Sequence, residues 1–157
     1  MIFRAATIDD VPALCALDGD VAYHTRCLAE RSIVIASRDS DDIGFAMINY
    51  NPQYSLYRKL NIPEIQDVFI KPDARQQGAG AALVLHCESM ISTRGYEQAG
   101  ICVALHSGFG AAQRLYAKLG YMPDGFGVTY DRQSVRAGEM RAIDDNLCLM
   151  MVKDLKP

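Results

Sequence analysis

Apolar positions along this chain recur with two different periods, and the switches between them mark out strands and helices. A short apolar strand, Ile2-Phe3-Arg4-Ala5, comes first. Thr7 followed by Asp10 is an N-cap with its capping partner, and Ile8, Val11, Leu14 and Cys15 then recur at helical spacing. Ser32–Ala36 and Ile43–Ile48 are β-rich runs separated by Arg38–Asp42, whose composition is that of a hairpin turn, so they predict two antiparallel strands. The stretch Asn51–Pro63 breaks the pattern with two prolines and predicts a loop with room for one helical turn. Glu64–Ile70 reads as a strand ended by Lys71-Pro72-Asp73.

Between Gly80 and Arg94, Leu83, Cys87, Met90 and Ile91 mark one helical face, and Gly95 stands where a C-terminal cap belongs. Ala99–Leu105 reads as a buried strand. Phe109, Ala112, Tyr116 and Leu119 then fall on one helical face, which Gly120 stops. Pro123–Gly127 is turn-rich, and Leu147–Val152 is a last strand. No repeat, low-complexity tract or linker interrupts the 157 residues, a length that suits one core. Strands and helices mixed in this order predict a single α/β domain spanning 1–157.

Charge and cysteine usage narrow the partners. Sixteen Lys plus Arg against nineteen Asp plus Glu give a formal charge of −3, and no basic run would track a phosphate backbone, so nucleic acid is not favoured. The N-terminus has no cationic leader with a long apolar stretch behind it. No apolar run approaches ~18 residues, so neither a secretory signal nor a membrane span is expected, and the expected compartment is the cytoplasm. Five cysteines, an odd number without a C-x-x-C pair, support neither a disulfide framework nor a metal site.

The chemistry concentrates where Val68-Phe69-Ile70 leads through Lys71–Ala74 into Arg75-Gln76-Gln77-Gly78-Ala79-Gly80, which opens the helix beginning near Ala81. Glycines at such a junction let the backbone approach a ligand, and the free N–H groups of a helix's first turn point at an anion such as a pyrophosphate. A tight turn alone would also explain a G-x-G. Spacing removes two other phosphate loops. A P-loop needs Lys-Ser/Thr directly after its last glycine, where Ala81-Ala82 stand. A dinucleotide fingerprint needs Gly or Ala where Leu83 stands, on a connection shorter than the one here.

The segment resembles the GNAT superfamily of acetyl-CoA-dependent N-acetyltransferases, whose Arg/Gln-x-x-Gly-x-Gly/Ala signature is matched by Arg75, Gly78 and Gly80. Gln113–Tyr121 resembles the family's second hallmark, a helix ending in Leu-Tyr-x-x-x-Gly-Phe/Tyr, and the element order is similar to the family's over nearly the whole chain. The resemblance implies a mixed, mostly antiparallel sheet of about seven strands with about four helices, splayed between strands four and five. It implies acetyl-CoA held at Phe69, Ile70, Arg75, Gln76, Gln77, Gly78, Ala79, Gly80 and Ala81, and direct acetyl transfer to a primary amine of a small molecule or peptide.

Further roles follow from the same resemblance. Tyr116 would protonate the departing thiolate, and a backbone N–H at Phe69 or Ile70 would meet the thioester oxygen. Glu64, fourteen residues before Gly78, would take the amine's proton, commonly through water, with Asp67 and His106 as the other candidates. Phe109 stands where many members carry Asn. Acceptor specificity would come from the first-helix region, the Asn51–Pro63 loop and the Gly125–Glu139 segment, with Tyr23, Tyr54, Tyr57 and Tyr130 as candidate walls. The same fold also serves as a non-catalytic acyl-CoA sensor or complex subunit, and either use is compatible with a homodimer.

Overall fold

The hairpin expected at Arg38–Asp42 turns on two residues, Asp39 and Ser40, both left-handed at φ 50° and 68°. That handedness matches the twist of the strands it joins. These are β2 (Ser32–Arg38) and β3 (Asp41–Asn49), with β1 (Ile2–Ala5) along the other edge of β2. The sheet continues through β4 (Glu64–Ile70) and β5 (Gln98–Ala104), then β6 (Met122–Tyr130), β7 (Gln133–Ser134) and β8 (Leu147–Asp154). This computed structural model describes residues 1–155, and among them the spatial order of the eight strands is β1-β2-β3-β4-β5-β8-β6-β7. Every neighbouring pair runs antiparallel except β4 with β5.

The described residues also hold five α-helices: α1 (Val11–Leu17), α2 (Val21–Glu30), α3 (Ser55–Leu60), α4 (Ala79–Thr93) and α5 (Gly110–Lys118). The eighth strand and fifth helix exceed the expectation for physical reasons. The two-residue β7 is too short to show a period. The chain between α1 and α2 breaks at Gly19 (φ 92°), after which the Asp20 carboxylate caps α2 by accepting from the Tyr23 N–H at 2.8 Å. In the Asn51–Pro63 stretch the one helical turn becomes α3, ended by left-handed Asn61. Pro123–Gly127 is not a connecting turn: it lies within β6. Pro123 faces Met151 and Val128 faces Leu149, so Asp124–Gly127 are accommodated as a wide bulge whose two glycines have positive φ.

Helices α4 and α5 cover one face of the sheet, over a core that includes Ile65, Leu83, Ile91, Ile101 and Tyr116. Each such side chain, fully buried, contributes roughly 1.5–3 kcal/mol by transfer from water. The opposite face carries two smaller clusters. Leu14, Cys27, Ile33, Ile35, Phe45 and Met47 pack beneath α1 and α2, and Tyr54, Tyr57, Ile62 and Met150 pack beneath α3. The Tyr57 ring seats on Gly100, where any Cβ would come within 2.3 Å of it, and its hydroxyl donates to the Met151 carbonyl.

Where the two halves of the sheet meet, β4 and β5 share only Glu64↔Gly100 and Ile65↔Ile101. A bulge accompanies the divergence. Met47 faces Gln66 and Phe45 faces Phe69, so Asp67 and Val68 together oppose Ala46, with Asp67 left-handed at φ 50°. A bulge bends its strand and adds local twist, which here accompanies the parting of β4 from β5.

Candidate active site at the splayed strands

The chain leaving β4 makes a short 3-10 turn at Pro72–Ala74 and then places Gln76 (φ 60°) and Gly78 (φ 80°) in left-handed conformations just ahead of α4. Gly78 is the N-cap of α4, and no side chain caps this end, so the N–H groups of the first turn at Ala79, Gly80 and Ala81 have no side-chain acceptor. The two glycines differ. A Cβ at Gly78 would meet nothing within 4 Å, whereas one at Gly80 would meet Leu115 at 3.4 Å and Ile70 at 3.8 Å. Gly78 therefore borders open space, and Gly80 packs inward against α5 and β4.

The side chains of this loop brace it. Arg75 Nε donates to the Ile70 carbonyl at 2.8 Å, and its guanidinium lies 5.9 Å from the centre of the Phe69 ring. Gln77 accepts from Arg38 at 2.5 Å and donates to the Asp73 carbonyl at 3.0 Å. With Arg75 and Gln77 engaged in this way, the exposed part of the loop is Gln76–Gly78, while Ala79 is buried and Gly80 and Ala81 are half-buried.

On the face carrying α1, α2 and α3, Glu64 is fully buried and accepts from Arg132 Nη2 at 2.9 Å and Nε at 3.4 Å. Arg132 reaches it from the β6–β7 turn, where Asp131 and Arg132 are both left-handed (φ 48° and 59°). Burial alone would lower the guanidinium's pKa, but the charge and hydrogen bonds of Glu64 outweigh burial and raise it. Three residues along β4, Asp67 stands exposed on the bulge. It accepts from the Tyr23 hydroxyl and lies 3.9 Å from Arg31 Nη1. Burial first, and then Asp67, raise the Tyr23 pKa, so the phenol stays protonated and donates. Tyr23, Arg31, Asn49, Gln53, Gln66, Asp67 and Arg132 together line a partly open cavity of about 160 Å³.

Tyr116 lies under the opposite face, 6% exposed, edge-on to Tyr121 at 6.2 Å. Burial, then the neighbouring Cys102, raise its pKa, so its hydroxyl carries a proton at neutral pH. His106 is bound to Asp145 at 2.7 Å and accepts from the Gly108 N–H at 3.2 Å, with Phe109 edge-on at 5.0 Å. Of the four tyrosines expected around an acceptor, only Tyr23 lines the cavity. Tyr54 and Tyr57 are buried in the core beneath α3, and Tyr130 donates to Asp144 at 2.8 Å. Sequence reasoning missed Arg31 and Gln66, which no local pattern marks, and reached Arg132 only as an unnamed member of the Gly125–Glu139 segment expected to shape acceptor specificity. Arg132 is one of two left-handed residues in a turn, and nothing in that turn signals a partner 68 residues earlier.

Comparison with known proteins agrees with this fold. The family profile described as "Acetyltransferase (GNAT) domain" matches residues 29–123, more than half of the chain. No sequence among the curated proteins matches. Among solved structures, the ribosomal-protein-alanine N-acetyltransferase from Brucella melitensis superposes with a TM-score of 0.72 at 18% identity, covering 98% of this chain and 99% of that one. The ribosomal-protein-S18-alanine N-acetyltransferase from Escherichia coli gives 0.74 at 15% identity, covering 99% and 94%. The putative acetyltransferase yncA from Salmonella typhimurium, solved with acetyl-CoA, gives 0.69 at 16% identity, covering 100% and 95%. At these identities the superpositions speak for the fold, and the profile match speaks for the family: the chain belongs to the GNAT acetyltransferases.

Proposed function

We propose that this protein transfers the acetyl group of acetyl-CoA to a primary amine by direct attack. The observation that carries the reading is the uncapped start of α4 at Gly78, open in front and set beside the splayed strands. A pyrophosphate fits there, held by the N–H groups of Gly78–Ala81, with Arg75 and Gln77 bracing the loop. The Salmonella neighbour, solved with acetyl-CoA, supports the choice of donor, and the names of the Brucella and E. coli neighbours support an amine acceptor.

Acetyl-CoA, when bound, supplies the activated acyl group. The chain's own residues do the rest. A backbone N–H at Phe69 or Ile70 meets the thioester oxygen as charge grows on it. An amine of solution pKa ~10.4 must lose a proton before it can attack. Asp67 suits that task better than Glu64, because it is exposed in the cavity while Glu64 is buried and occupied by Arg132. Glu64 is then a positioning residue. The protonated Tyr116 hydroxyl donates to the departing sulfur.

Calorimetry should show acetyl-CoA or CoA binding in a one-to-one ratio, with a rise in melting temperature by mass action. Absence of binding at millimolar cofactor would overturn the reading. Tyr116→Phe keeps the ring and deletes only the oxygen. Stability should change by at most ~1 kcal/mol and acetyl-CoA affinity should hold, while thiol release falls by roughly 10²-fold. Full turnover in that variant would remove Tyr116 from the mechanism.

A further inference from the structure

The cavity beside Asp67 has an unusual polar lining, and two of its groups are buried without partners. Gln66, 6% exposed, has an Oε1 that accepts no hydrogen bond, and Arg31 has an Nε that donates none. The hydrogen bonds its guanidinium does make go to sulfur, to Cys27 at 3.5 Å and Met47 at 3.8 Å, and the Asp67 carboxylate lies at 3.9 Å, beyond hydrogen-bond reach. Buried polar groups in native proteins are almost always paired, so an unpaired guanidinium nitrogen and an unpaired amide oxygen on two residues that line one cavity point to a ligand with complementary groups. The guanidinium needs an anionic oxygen. The amide oxygen, with the Asp67 carboxylate next to it in the chain, needs an N–H donor.

We infer that the acceptor is a small aminocarboxylate, a molecule with its primary amine only a few bonds from a carboxylate. This deepens the acetyltransferase reading and rests on it. The amine sits at Gln66 and Asp67, on the stretch of β4 that diverges from β5, where the acyl group is expected. The carboxylate sits against Arg31, with Arg132 reinforcing the positive side of the cavity. Glu64 already pairs Arg132, so that arginine keeps its position with or without an acceptor. Size points the same way. An apolar cavity of ~150 Å³ holds one benzene ring, so about 160 Å³ accommodates a single small amino acid. Polyamines fit poorly, because their second cation would face Arg31 or Arg132.

The test is calorimetric titration of the CoA-loaded protein with the proteinogenic amino acids and β-alanine, each beside its decarboxylated amine and its des-amino acid. At least one aminocarboxylate should bind, and removing either group should weaken it roughly 10- to 100-fold, as expected for loss of a charged hydrogen bond. Arg31→Gln should bring the aminocarboxylate down to the affinity of its decarboxylated amine while leaving that amine and CoA unaffected. Three results would overturn the inference: an amine that binds as tightly as its aminocarboxylate, a preference that survives Arg31→Gln, or no aminocarboxylate bound at millimolar concentration by protein that does bind CoA. Parallel titration without CoA keeps the two readings apart, since failure of the protein to bind CoA bears on the acetyl donor alone and the cavity is still read directly.

Discussion

Glu64 and Asp67 stand three residues apart on one strand, yet the bulge gives them opposite surroundings. Glu64 is sealed beneath α3 against Arg132, and Asp67 faces the cavity. Breaking a buried ion pair from one side leaves the other charge stranded, which typically costs about 3–5 kcal/mol. Glu64→Gln should therefore show its main effect as a lowered melting temperature. Asp67→Asn retains an oxygen for the Tyr23 hydroxyl, so stability should move by no more than about 1 kcal/mol while turnover falls roughly 10²-fold. The reverse pattern, a stable Glu64→Gln with lost turnover and an active Asp67→Asn, would return the base to Glu64. Residue patterns could not separate the two carboxylates, because parity along a strand holds only until a bulge interrupts it.

Among the elements, α4 is the one whose start matters most. Its two glycines read alike in the sequence, as room for a phosphate, but they do different work. Gly78→Ala forces a Cβ into a left-handed position, costing about 1 kcal/mol, and puts a methyl group into the open space before the helix. Acetyl-CoA affinity should drop. Gly80→Ala makes only ordinary contact with Leu115 and Ile70, and alanine is the better helix former by roughly 0.5–1 kcal/mol. That variant should melt at the same temperature or higher and bind acetyl-CoA normally. Thermal melts with calorimetry check both, and a well-folded Gly80→Ala that fails to bind would place the phosphate deeper than Gly78. As a candidate this loop was legible because the residues that mark it, Arg75–Ala81, follow one another in the chain, whereas the contact from Arg38 that braces it was not. The β6 bulge was not, since turn residues serve a bulge as well as a turn.

For the molecule as a whole, the sequence disclosed what is local and hid what converges. The ends of β4 and the body of α4 follow from apolar period and punctuation. The cavity draws Tyr23 and Arg31 from α2 and its end, Asn49 and Gln53 from the end of β3 and the chain beyond it, Gln66 and Asp67 from β4, and Arg132 from a distant turn, so only the fold assembles it. The fold has one further consequence. With two residue pairs joining β4 to β5, the backbone amides along the inner edge of Gln66–Ile70 have no strand beside them. In deuterium oxide they should exchange faster than those of β8, which is flanked by β5 on one side and β6 on the other. Coenzyme A carries amides along its pantetheine arm, so a molecule lying in the notch would act as a ninth strand. Deuterium uptake across Gln66–Ile70 should then slow on adding CoA, while uptake in β8 stays as it was.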